Sequence, residues 1–115
     1  MDSILNSIKK LLGIDAQDTA FDDDIIMHIN TYLMALTELG VGDPDGFEIT
    51  GPNEVWSNFL PAGQKLASVK TYIYLKVKLV FDPPLSSAVI EAMNRQASEL
   101  EFRISVVVDP GPQTT

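Results

Sequence analysis

The sequence predicts a mainly α-helical fold: a small bundle of about four helices, a long structured loop between helices 2 and 3, and an extended C-terminal tail. Three observations carry this reading. Apolar residues recur at helical spacing in separate runs, and Gly- and Pro-rich stretches divide those runs. Strand-like alternation is confined to one long run, with few partner strands elsewhere. The 115 residues suffice for one domain with a modest core, expected over 1–104, with the tail over 105–115.

The first helix is expected from Asp2 to Leu12. Ile4, Leu5, Ile8, Leu11 and Leu12 fall at helical spacing, Asp2 or Ser3 can cap the start, and Gly13 can end it. Lys9 and Lys10 occupy the last turn, where cations suit the helix dipole. So short a helix must dock on something. The second helix opens at Asp22 as N-cap, with Phe21 placed to staple onto Ile26 and Asp23 and Asp24 in the first turn. Its stripe is Ile25, Ile29, Leu33, Leu36 and Leu39, widened by Met27 and Met34, and Gly40 closes it.

From Val41 to Gly63 the helical pattern breaks. Gly42-Asp43-Pro44-Asp45-Gly46 is dense in turn residues, and Phe47–Thr50 could form a very short strand. Asn53 could cap one or two turns carrying Val55, Trp56, Phe59 and Leu60. Burial of each large side chain contributes about 1.5–3 kcal/mol, so this loop should fold onto the body.

Gln64 to Phe81 fits two patterns. Ile73, Leu75, Val77, Leu79 and Phe81 alternate as in a strand, while Leu66, Val69, Ile73, Val77 and Val80 fit a helix. The run is long for a strand, and the expectation is helix. It would be apolar around most of its girth, hence a central core helix or a subunit contact. Lys65, Lys70, Lys76 and Lys78 lie on it while acids dominate elsewhere. Lys70, Lys76 and Lys78 are therefore candidates for a contact with an acidic neighbouring copy, the alternative being a solvated face.

Asp82-Pro83-Pro84 breaks the chain, and Ser86 or Ser87 starts the last helix. Val89, Met93, Ala97, Leu100 and Ile104 form its stripe, with Glu91, Arg95, Glu99 and Arg103 as ion pairs outside it. The Val106-Val107-Val108 run and the Pro-rich end after it should be extended. Ile104, Val106, Val107, Val108, Pro110 and Pro112 are candidates for binding a partner as a peptide arm.

Composition excludes several classes. There is no cysteine, so no disulfide and no thiolate metal site is available. No stretch of about 18 apolar residues occurs, and the start lacks the basic and apolar pattern of a signal peptide. The chain is expected in the cytosol or in a particle assembled there. A net charge of −8 argues against a protein that neutralises phosphates. It suits a wall past which DNA must slide without sticking, or simple solubility. The single histidine, His28, has no second histidine or cysteine with which to bind a metal. Asp22-Asp23-Asp24 reads as helix capping, because consecutive helical residues point in different directions. No phosphate loop, dinucleotide fingerprint or nucleophile elbow is present. The expectation is a non-enzymatic protein without cofactors.

The segments also follow a known order. Ile4-Leu5-Asn6-Ser7-Ile8-Lys9-Lys10-Leu11-Leu12-Gly13-Ile14 precedes Phe21-Asp22-Asp23-Asp24-Ile25-Ile26-Met27-His28-Ile29-Asn30. Leu39-Gly40-Val41-Gly42, Trp56-Ser57-Asn58-Phe59-Leu60, Val69-Lys70-Thr71-Tyr72-Ile73-Tyr74-Leu75-Lys76 and Phe81-Asp82-Pro83-Pro84 follow. From about Ile4 to Pro110 the chain resembles the small head–tail connector proteins of tailed phages and prophages. The resemblance implies a helical virion protein at the neck. There it would assemble, as a dodecameric ring, beneath the portal protein. Such a ring extends the DNA channel without binding DNA specifically and meets a further connector or tail protein. It also implies helix over Gln64–Phe81, and it singles out no binding residue. The acidic loop residues Asp43, Asp45 and Glu48 are our candidates for facing the channel or the next ring. The alternative class is a small acidic regulator that sequesters a protein partner. A third is a tail-completion protein of similar fold.

Overall fold

The computed structural model describes residues 3–60 and 66–108. It is mainly helical, with five helices in order: α1 (Ile4–Leu11), α2 (Asp22–Glu38), α3 (Trp56–Phe59), α4 (Leu66–Phe81) and α5 (Ser87–Val108). The fifth, against the four expected, is the single turn α3 inside the long loop.

Ser3 caps α1, its Oγ accepting from the Asn6 amide at 3.2 Å. Ile4, Leu5 and Ile8 are buried. The helix ends at a left-handed Gly13 (φ 82°), whose amide donates to Lys10 O while the Ile14 amide reaches back to Lys9 O. That pairing is a Schellman motif, and the positive φ explains why glycine stands there. Lys9 is not the exposed dipole cation expected from its place in the last turn. Only 1% exposed, its ammonium lies 2.7 Å from Asp22 and donates to the carbonyls of Asp18 and Ala16 at 2.7 and 3.2 Å. One buried cation thus holds both ends of the connection between α1 and α2.

Asp22 begins α2 as its first helical residue rather than as its cap, and the cap position falls to Phe21 without a side-chain hydrogen bond. The Asp22 carboxylate is committed to Lys9 instead. The Phe21 ring meets Phe81 edge-on at 5.6 Å. Ile25, Ile29, Leu33 and Leu36 are buried as the periodicity requires. Met27 and Met34 do not widen that stripe but stand exposed, Met27 by 58%. A second Schellman motif closes α2, with Gly40 at φ 96° and the Val41 amide bonded to Leu36 O at 3.0 Å.

The loop after α2 is folded onto the body, by side-chain capping rather than by a strand. The Asn30 side chain mimics a strand partner for Ile49, accepting from its amide at 2.8 Å and donating to its carbonyl at 3.0 Å. Phe47–Thr50 otherwise take no regular structure. The Ile4 amide donates to Glu54 O, and Ser3 and Val55 form an isolated antiparallel bridge. Val55, not Asn53, precedes α3, and Asn58 Oδ1 accepts from the Val55 amide at 2.9 Å. Trp56, Phe59 and Leu60 are buried, and the indole N–H donates to Ser7 Oγ at 3.1 Å.

The run that fitted both periodicities is helix α4, and it occupies the centre. Val69, Tyr72, Ile73, Leu75 and Val77 are buried, on more than one face, because α4 packs against α1, α2 and α5. Ser86 caps α5 through its Oγ and the Val89 amide. Of the expected stripe on α5, Ala97 and Ile104 are buried, Met93 and Leu100 pack at the core's edge, and Val89 stays exposed. Helix α5 continues through Val106, Val107 and Val108, past the boundary expected at Ile104. Residues 109–115 lie outside the described part. The Tyr72 hydroxyl donates to Glu101 at 2.9 Å, tying α4 to α5. Burial first, then the Glu101 carboxylate, push the Tyr72 phenol well above its ordinary range.

Candidate functional site

No helix among the described residues is long and apolar enough to cross a membrane, and no three His, Asp or Glu side chains among them gather as metal ligands. What the fold presents is surfaces, and three of them bear on the residues singled out above.

The first is the acidic loop. Asp43 opens a β-turn, its carbonyl accepting from the Gly46 amide and its Oδ1 from the Asp45 amide, both at 2.9 Å. Pro44 and the left-handed Gly46 (φ 96°) complete the turn. Asp43, Asp45 and Glu48 are all exposed, the first two on the turn and Glu48 two residues beyond it. Gly42 just before it sits at φ 77°, where a Cβ would stand 2.8 Å from the Phe59 ring. The loop is therefore held at both ends, by Phe59 against Gly42 and by Asn30 on Ile49. Beyond it, the Thr50 hydroxyl hydrogen-bonds Glu54 and holds that carboxyl below its usual range.

The lysines of α4 are the second. Lys70 lies over the Trp56 ring at 5.9 Å and Lys76 over the Tyr32 ring at 5.8 Å, while Lys78 pairs with Asp82 at 2.9 Å. Each is engaged within its own subunit. The arm residues divide too. Ile104 is packed into the chain's own core, Val106–Val108 belong to α5, and Pro110 and Pro112 lie outside the described residues.

The third surface escaped sequence reasoning. An open groove of about 570 Å³ lies between the start of α2 and the end of α4. Leu12, Ile14, Phe21, Val80 and Phe81 give it apolar walls, and Asp24, His28 and Asp82 line it too. Asp24 and His28 stand one turn apart on α2, which places His28 at a core edge. Phe21 and Val80 are exposed beside this groove, and at the other end of the α4–α5 hairpin Phe102 is exposed as well. Phe102 lies outside the buried stripe of α5, and that offset from the periodicity was the available signal. The groove had none, since its parts come from three separated segments.

Residues 4–111 match the family described as "Phage connector protein". The chain belongs to that family. The match covers both the loop and the helices. No curated protein and no solved structure matches the chain.

Proposed function

We propose that this connector-family chain is a virion protein that forms a ring under the portal, extends the DNA channel and joins the head to the tail. The observation that carries the reading is the family match over 4–111. The geometry supports it. A net charge of −8 disfavours adhesion to DNA, and the framed turn at Asp43, Asp45 and Glu48 offers a wall of fixed carboxylates to a passing duplex. The segment after Val108, at the end of the longest helix, is the arm that meets the portal or a neighbouring subunit.

Negative-stain imaging of purified virions, and of this protein mixed with the portal protein of the same genome, tests the reading. A collar of this protein at the neck, below the portal, is expected. Its absence from virions overturns the proposal. A small stoichiometric complex with another protein would then favour the sequestering regulator.

A further inference from the structure

We infer that copies of this chain join head to tail, the groove between α2 and α4 of one copy receiving Phe102 and its neighbouring arginines from the next. The inference deepens the ring reading above and rests on it for what the assembly does. The pairing itself stands on the two surfaces.

Phe102 is 69% exposed, an unusual position for a phenylalanine on a helix with an apolar stripe elsewhere. Arg95 shares its helical face two turns earlier, and Arg103 follows it, 70% exposed. Arg103 is only loosely held by Glu99, at 3.8 Å. This end of α5 therefore presents an aromatic ring with the guanidinium groups of Arg95 and Arg103 near it and one exposed carboxylate, Glu99, between the two arginines. The groove offers the opposite set. Phe21, Phe81 and Val80 give an apolar, partly aromatic wall, and Asp24 and Asp82 set carboxylates beside it. Asp24 is exposed, and Asp82 uses only its Oδ2 toward Lys78. Aromatic to aromatic and guanidinium to carboxylate is a complementary pairing.

One subunit cannot make this contact with itself. The Tyr72–Glu101 hydrogen bond fixes α4 and α5 as antiparallel neighbours and places Phe102 level with Tyr72. At about 1.5 Å per helical residue, Phe81 lies roughly 14 Å farther along α4. The two surfaces are thus separated along the hairpin. A contact between two different patches of identical chains is heterologous, and it closes into a ring or runs on as a filament.

The chain's lack of cysteine makes the test direct. A double variant His28→Cys/Glu99→Cys, which keeps the paired charges, is treated with a short bismaleimide, alone at high concentration and mixed with portal protein. The control is Glu48→Cys/Glu99→Cys. A ladder of covalent dimer, trimer and higher species is expected from the first pair and not from the control, with loss of the ladder on adding Phe102→Glu. Circular dichroism checks that each variant keeps its helices. If micrographs show a ring on the portal but the first pair gives no ladder above the control, this pairing is overturned while the connector reading stands. A ladder without any ring on the portal supports the pairing and contradicts the connector reading. Neither ladder nor ring overturns both.

Discussion

Lys9 and Lys10 are adjacent, alike and both in the last turn of α1, yet one is buried in an ion pair and the other is exposed. Phase decides between them. Lys9 falls one turn after Leu5, on the buried face, whereas Lys10 is rotated off it. That signal was present in the sequence but masked by the general rule that lysines stay wet. Truncating Lys9→Ala leaves Asp22 and two carbonyls without their cation. A loss of about 3–5 kcal/mol is expected, read from urea denaturation midpoints. A loss under about 1 kcal/mol would show that the pair behaves as an exposed one. The glycines make a second contrast. Gly13 and Gly42 both have positive φ, but only Gly42 faces a ring where its Cβ would be. Gly13→Ala should cost about 1–2 kcal/mol for the left-handed backbone alone. Gly42→Ala adds an overpacking cost of about 1–3 kcal/mol against Phe59. Equal losses in the two variants would contradict this account.

At the level of elements, periodicity was enough where one face is buried and misled where two forces compete. Helices α1 and α2 were legible from their stripes and terminal glycines. Helix α4 was ambiguous because it is central, and a helix buried on several sides loses the contrast that marks its period. Its length and the family resemblance favoured helix, and the structure shows one. The valine run in α5 read as extended because β-branched residues disfavour helix, but only by a fraction of a kcal/mol each. Ile104 in the core anchors the preceding turn, and the helix continues through Val108. The pairing of α4 with α5 has its own signature in pH. The buried Tyr72 phenol, bonded to Glu101, titrates above its ordinary value of 10.0 in the folded chain. Its raised pKa contributes stability that is fully present below pH 10 and is lost as pH rises toward the folded-state value. Urea denaturation of the native chain should thus show a stability loss above pH 10 beyond that of Tyr72→Phe, in which this titration is gone. Parallel pH profiles for the two proteins would contradict the role given to this hydrogen bond.

For the molecule as a whole, the order of segments pointed to the connector family, and the match over 4–111 bears out that coarse reading. The lysines of α4, our candidates for a subunit contact, are engaged within the chain with Trp56, Tyr32 and Asp82. The contacts of Lys70 with Trp56 and of Lys76 with Tyr32 join segments far apart in sequence, so a charge pattern along one helix could not reveal them. Two assembly predictions belong at this scale. Truncation after Val108 leaves Ile104 and the core intact, so the subunit should keep its helical circular dichroism while phage lacking 109–115 fail to join heads to tails. Normal infectious particles from that phage would remove the arm from the account. Replacing Asp43→Asn, Asp45→Asn and Glu48→Gln keeps the turn but removes its charge, and DNA ejection should slow. Unchanged ejection kinetics would assign the loop to a contact with the next ring.

The central claim is the position of this chain in the particle, and cryo-electron microscopy of the intact virion neck tests it most directly. The account predicts a closed ring of this helical fold immediately beneath the portal, with the Asp43–Glu48 turn at the channel wall. A neck in which another protein occupies that position, with this chain absent, would contradict it.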